Sequence, residues 1–270
     1  MTADLIIDVG MHNGRDTEFY LAKGFRVAAV EAAPELAQKT AIRLAGDVAS
    51  GALRIYNVAI GEHEGTTSFW VNQEHDDWGT IRQNMAERNG RFGTASQEVT
   101  VPCVPFGRVL DECGTPYYLK IDIEGADGLC LEALRGREAP KYLSVEGPLD
   151  SEEEAFAQIE LLCQLGYRDF KVVNQGLLHV VRCPKPAREG RYVGARFDGG
   201  HTSGPFGEEA PGKWASADRT MAKLRRLIRD QRNHGMNGKH FRTRWGYVYR
   251  KWRRLMREPV AWWDIHARWG

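Results

Sequence analysis

Four residues near the N-terminus have the types and spacing to hold a ligand: Asp8, Gly10, Gly14 and Glu31. The apolar run Leu5–Ile7 leads into Asp8-Val9-Gly10, and His12-Asn13-Gly14 makes a turn. A helical pattern follows, and a second apolar run, Val27–Val30, ends at Glu31. Glycine lets a backbone approach a ligand closely, and a helix starting at such a turn aims its N–H groups outward. Glu31, 17 residues after Gly14, stands where an acid accepts hydrogen bonds from a ribose diol. The turn reads G-x-x-x-G and lacks the central glycine of G-x-G-x-x-G, which argues against a pyrophosphate pressed onto it. Asp8 suits a ligand with a cationic amino-acid end. S-adenosylmethionine combines both features: an adenosine for Glu31 and an ammonium for the neighbourhood of Asp8. His12, Asn13 and Ala32 lie in the same turns, and Asn57 and Ala59 end the third apolar run. All are candidate cofactor contacts, together with Asp122.

A sulfonium methyl passes to a nucleophile, and a protonated nucleophile must lose its proton, so the site needs a base or a metal. Asp122 and Glu124 close the apolar run YYLKIDIEG, and Glu146 closes KYLSVEG. Asp122 is the best-placed carboxylate, with Glu146 able to share the work. His201, among glycines in GGHTSG, is a candidate base on a flexible loop. Alternatively, Asp122 and Glu146 hold Mg²⁺, which lowers a hydroxyl pKa. Direct proton acceptance is preferred, because two carboxylates alone do not specify a metal. The plainer reading of Asp122, Glu124 and Glu146 is that they bond loop amides at strand ends. Asp77, Trp78 and Thr80, in the polar loop 74–95, are candidate substrate contacts, with Trp78 able to stack on a sugar.

These residues need a scaffold that brings strand ends together. Strands are expected at 53–60, 66–73, 98–106, 117–125 and 141–147, with helices at 34–46, 107–113 and 127–135. Ser151 and Glu154 make a capping box for a helix over 151–166. Segments 167–174 and 177–183, separated by Gln175-Gly176, predict an antiparallel hairpin. The order implies an α/β fold: a doubly wound, Rossmann-like, mostly parallel sheet with one antiparallel edge strand, plus a helical C-terminal extension. In such sheets ligands bind beyond the carboxyl ends of the strands.

The 270 residues carry a net charge of +1, and this hides an asymmetry. Residues 213–270 hold 16 Lys/Arg against 4 Asp/Glu and six of the eight Trp, leaving −11 on residues 1–212. The expected organisation is an S-adenosylmethionine-binding domain over 1–185, a Gly/Pro-rich active-site loop or linker over 186–212, and a basic extension over 213–270. Met221, Leu224, Leu227 and Ile228 share one helical stripe, and Phe241, Trp245, Val248, Trp252 and Leu255 another. The simplest expectation is two amphipathic helices packed on the acidic part or on a second subunit in a homo-oligomer. The sharper one is a patch for an anionic partner such as a phosphorylated glycan, a membrane surface or RNA. Five scattered Cys form no C-x-x-C pair, no apolar run is long enough to span a membrane, and the first strand leaves no room for a signal peptide. The expected location is the cytoplasm.

IDVGMHNGRDT, VEAAPELA, LKIDIEGAD and FKVVNQ, in this order, resemble the FkbM family of S-adenosylmethionine-dependent methyltransferases over roughly residues 4–183. The resemblance implies O-methylation of a hydroxyl on a sugar, polyketide or other small metabolite. The chain departs from the family pattern at His12 and Ala33, where Asn is usual. Two other functions compete. A nucleic-acid methyltransferase would use the basic tail, but the (Asp/Asn)-Pro-Pro-aromatic segment typical of amine methylation is replaced by Asp122-Ile123-Glu124-Gly125. A non-catalytic cofactor-binding scaffold would capture partners through the tail without turnover.

Overall fold

A computed structural model describes residues 2–75, 78–90, 93–198, 200–235, 238–256 and 258–270. The chain divides into two compact units: Met1–Leu143 with Glu189–Val193, and Ser144–Arg188 with Gly194–Gly270.

The first unit opens with β1 (Thr2–Val9), α1 (Arg15–Ala22) and β2 (Arg26–Val30). Then come α2 (Pro34–Arg43), α3 (Ala45–Ala49), β3 (Leu53–Tyr56), β4 (Ala59–Ile60) and β5 (Gly65–Asn72). It continues with α4 (Gln83–Gly90), β6 (Ser96–Val104), α5 (Phe106–Cys113), β7 (Pro116–Ile121) and α6 (Asp127–Glu132). Strands β3, β2, β1 and β7 lie in that order and pair in parallel. Their apolar runs are continuous because parallel strands are covered on both faces. Ile6, Ile7, Val9 and Leu119 are fully buried, each contributing roughly 1.5–3 kcal/mol. The parallel register sets Asp8 directly beside Lys120. The expected strand 53–60 is broken in two. Its second piece, β4, joins β6 and β5 in a separate three-stranded sheet whose core is Ala33, Ala59, Phe69, Val101 and Cys103. The segment 74–95 is not wholly loop, since it contains α4.

The second unit begins within β8 (Tyr142–Glu146) and holds α7 (Glu152–Gln164), β9 (Tyr167–Asn174), α8 (Ala217–His234), α9 (Arg244–Leu255) and β10 (Trp263–Trp269). The capping box forms as expected: Ser151 Oγ accepts from the Glu154 N–H at 3.1 Å. The hairpin does not. Residues 175–180 form a 3₁₀ turn, and the antiparallel partner of β9 is β10, from the end of the chain. The order is β8, β10, β9, and β10 and β9 pair antiparallel. Val172 and Val173 are covered by this arrangement, and Ile265 and Ala267 are fully buried. The tail is therefore helical through α8 and α9 and then contributes a strand to the core.

Tail charges pair with acids of the same unit: Arg225 with Glu152 at 3.1 Å, and Arg268 with Asp169 at 2.7 Å and Glu208 at 2.9 Å. Helix α8 packs on α7 and β9 with Leu224 and Ile228 buried, as its stripe implies. Helix α9 departs from expectation. Its buried positions are Gly246 and Arg253, and its apolar stripe faces outward. No helix among the described residues is long and apolar enough to cross a membrane.

The placement of β10 predicts unequal effects in the tail. Ile265→Ala should cost about 2–4 kcal/mol in urea unfolding, and Leu255→Ala less than about 0.5 kcal/mol. Equal effects would mean that β10 is not part of the core.

Candidate active site

The site grows from the carboxyl ends of β1, β2 and β7. After Val9 the chain turns at Gly10, whose φ is +84°. A Cβ there would meet the Asp122 carbonyl oxygen at 1.8 Å, so only glycine lets the ends of β1 and β7 approach this closely. Gly14, at φ +73°, occupies the N-cap of α1, and Thr40 of α2 fills the space where a Cβ would stand. Among the described residues, two that are not glycine have positive φ: His12 at +52° and Glu124 at +43°. Both flank the site, which is where such backbone strain tends to collect.

Glu31 is buried, and its carboxylate closes the turn. Oε2 accepts from the His12 N–H at 2.7 Å and Oε1 from the Ala33 N–H at 2.8 Å. Burial lifts its pKa to about 7, against the pull of those two N–H donors and of Lys120. A carboxylate has about four acceptor positions, and the two N–H donors leave capacity for two hydroxyls. His12 and Ala33, where the chain departs from the family pattern, both bind Glu31 through their backbone.

Lys120 is the residue that sequence reasoning did not single out. It is 5% exposed at its side chain and lies 3.2 Å from Asp8, 3.6 Å from Asp122 and 3.8 Å from Asp16. It also donates to the Gly10 carbonyl at 3.0 Å. Burial alone would lower its pKa, but Asp8, Asp122 and Asp16 outweigh that and hold it well above the usual value. The signal was a lysine inside the apolar strand YYLKIDI, since a buried lysine must be paired. Asp8 is fully buried, and its other oxygen accepts from the Thr17 hydroxyl at 2.7 Å. The cation beside Asp8 is thus the chain's own.

Asp122 differs from its neighbours. Its side chain is 47% exposed while one oxygen stays near Lys120. It is the carboxylate of this group that reaches outward. Glu124 sits mostly covered, 3.9 Å from Arg88. Its carbonyl accepts from the Thr80 hydroxyl at 2.8 Å, and that hydroxyl in turn accepts from the Arg82 N–H at 3.0 Å. Thr80 is buried and clamps the 123–125 turn to the start of α4. Met85 Sδ stands 2.2 Å from where a Gly125 Cβ would be, so α4 covers this turn. The Asp127 carboxylate, raised to about 6 by burial, accepts from the Ile123 N–H at 3.1 Å and holds the turn from below.

The remaining candidates are placed variously. Asn57 donates to the carbonyls of Glu31 at 2.8 Å and Ala32 at 3.3 Å, bracing the end of β2. The Asn13 side chain accepts from the Arg15 N–H at 3.2 Å. Ala59 is buried in the three-stranded-sheet core and packs there instead of facing a ligand. Trp78 stacks on His75 at 4.4 Å between centroids. Asp77 lies outside the described residues. Glu146 and His201 belong to the second unit: Glu146 ends β8, and His201 is exposed, its N–H bonded to Asp198 Oδ1 at 2.8 Å. Among the described residues, no group of three or more His, Cys, Asp or Glu is arranged to hold a metal ion.

With this geometry in view, comparison with known proteins defines the class. The methyltransferase FkbM domain matches residues 8–168. That is more than half the chain, and the chain belongs to the FkbM methyltransferase family, whose members transfer methyl groups from S-adenosylmethionine. No curated relative matches. Among solved structures, the chain is similar to a candidate sarcosine dimethylglycine methyltransferase from Galdieria sulphuraria, at 7% identity and a TM-score of 0.39, covering 98% of this chain and 78% of that one. It is also similar to a SAM-dependent methyltransferase from Archaeoglobus fulgidus, at 10% identity and a TM-score of 0.36, covering 99% and 86%. Both overlaps are loose, and the family assignment rests on the domain match.

The buried cluster makes a stability prediction. Lys120→Met strands Asp8 beside Asp16 and should cost about 3–5 kcal/mol, whereas Lys120→Met combined with Asp8→Asn should recover part of the loss. If the double variant is as unstable as the sum of the singles, the two residues are not coupled. Gly10→Ala should fold poorly because of its backbone clash, read as a lowered thermal midpoint.

Proposed function

We propose that this methyltransferase acts on a hydroxyl of a saccharide or another small metabolite, with Asp122 as the proton acceptor. The observation that carries the reading is Asp122 itself: half-exposed, at the carboxyl end of β7, and beside a buried ammonium. Bound S-adenosylmethionine supplies an electrophilic methyl group on a sulfonium. Glu31 accepts the ribose hydroxyls, and Gly10 gives the turn the room to pass close to the ligand. His12, Asn13, Gly14 and Ala32 line the same turns. Asp8 acts through Lys120 and Thr17, fixing the turn, and is a positioning residue.

The acceptor hydroxyl would pass its proton to Asp122 as its oxygen bonds the methyl carbon and the carbon–sulfur bond breaks, leaving S-adenosylhomocysteine. Lys120, 3.6 Å away, holds that carboxylate in place. General-base help of this kind contributes about 10²–10⁴ in rate. Trp78, stacked on His75, would offer its aromatic face to a sugar ring. The (Asp/Asn)-Pro-Pro-aromatic segment of amine methylation is absent after β7, which favours oxygen over an exocyclic amine.

Two outcomes follow. Asp122→Asn should leave S-adenosylmethionine affinity within a few fold by calorimetry while lowering turnover at least about 10²-fold; unchanged turnover would remove Asp122 from the role. Cofactor affinity should also depend on pH through Glu31. Its carboxyl titrates at about 7 in the free protein, and the form that accepts two hydroxyls is the carboxylate. Affinity should therefore hold above pH 7 and fall by up to about tenfold per pH unit below it. A flat profile in wild type, or the same slope in Glu31→Ala, would contradict the assignment.

A further inference from the structure

Helix α9 carries its apolar stripe on the wrong side for a core helix. Trp245 is 81% exposed, Leu255 80%, Trp252 50% and Val248 48%. At about 100° per residue these four fall within one sector of the helix surface. Such a stripe ordinarily turns inward. Here the rotation is fixed by something stronger. Arg253 is buried on the opposite side, ion-paired with Asp230, and its Nε donates to the Glu258 carbonyl at 2.8 Å. The Tyr249 hydroxyl also bonds Asp230 at 3.0 Å, and Thr243 caps the helix by accepting from the Gly246 N–H at 3.0 Å. Turning the stripe inward would break this buried pair, which is costly.

We infer that α9 is a membrane-surface helix that lies on an anionic lipid headgroup layer with Trp245, Val248, Trp252 and Leu255 inserted. Charge complementarity selects that occupant. The helix holds Arg244, Arg250, Lys251, Arg253 and Arg254 and no acid. Arg244 and Lys251 are exposed at the border of the stripe, where headgroup phosphates would stand. Tryptophans above an apolar face, with cations beside them, are the composition of helices lying in the lipid interface. A second copy of the chain would oppose two like-charged helices. RNA would use the cations and aromatics but gains nothing from exposed Val248 and Leu255. No helix among the described residues spans a membrane, so this is attachment in the plane of the surface. The inference does not depend on the identity of the methyl acceptor.

The test is vesicle flotation with the full chain. Vesicles of equimolar phosphatidylcholine and phosphatidylglycerol should bind the protein with a blue shift in tryptophan emission, and vesicles of phosphatidylcholine alone should bind it far more weakly. The double variant W245S/L255S should lose roughly tenfold or more in partitioning, with an unchanged thermal midpoint because both side chains are exposed. No binding to the anionic vesicles overturns the inference. So does full binding by the double variant, which would mean charge attraction alone. A change in sedimentation mass in that variant without vesicle binding would assign the face to a second copy instead.

Discussion

The ammonium of Lys120 holds the site together. A cation in the interior is tolerated only when its partners are close, and here Asp8, Asp16, Asp122 and the Gly10 carbonyl all lie within 3.8 Å. The parallel register of β1 and β7 puts Lys120 beside Asp8. Removing it would take the ammonium away from Asp8, Asp16 and Asp122 together. The same contact ties two strand ends to the glycine turn, so the shape of the turn is set by electrostatics as well as by backbone freedom. Asp122 is the one member of the group that also reaches outward, which makes it both part of the lock and free to meet a substrate.

Backbone groups do much of the remaining work. Glu31 is held by the N–H groups of His12 and Ala33, Thr80 by the carbonyl of Glu124, and Asn57 grips two carbonyls at the end of β2. His12 and Ala33 reach Glu31 through backbone N–H groups, so this contact does not itself require a particular side chain at either position. Burial raises Glu31 to about 7, and its two backbone N–H donors oppose that rise.

The parallel scaffold was legible in the sequence because buried parallel strands are continuous apolar runs and their ends fall at charged residues. Asp8, Glu31 and Asp122 were visible for that reason. Lys120 was overlooked because it reads as one polar residue in an apolar strand, and its meaning depends on a register that only the fold supplies. Ala59 and Thr80, chosen for their nearness to strand ends, are engaged within the protein: Ala59 in the core of the small sheet and the Thr80 hydroxyl on the Glu124 carbonyl. The hairpin at 177–183 failed because a strand nearly ninety residues later in the chain pairs with β9 in its place, a long-range choice that local turn signals do not encode. Helix α9 shows the limit of amphipathic pattern: the stripe was read correctly, but which way it faces is decided by a buried arginine pair.

The central claim is that the carboxyl ends of β1, β2 and β7 receive the methyl donor with Asp122 facing the reacting centre. A crystal structure with S-adenosylhomocysteine tests it most directly. The account predicts ribose hydroxyls on the Glu31 carboxylate and the sulfur on the Asp122 side of the Gly10 turn. A ligand bound elsewhere, or a Glu31 carboxylate that keeps only its two backbone donors, would contradict it.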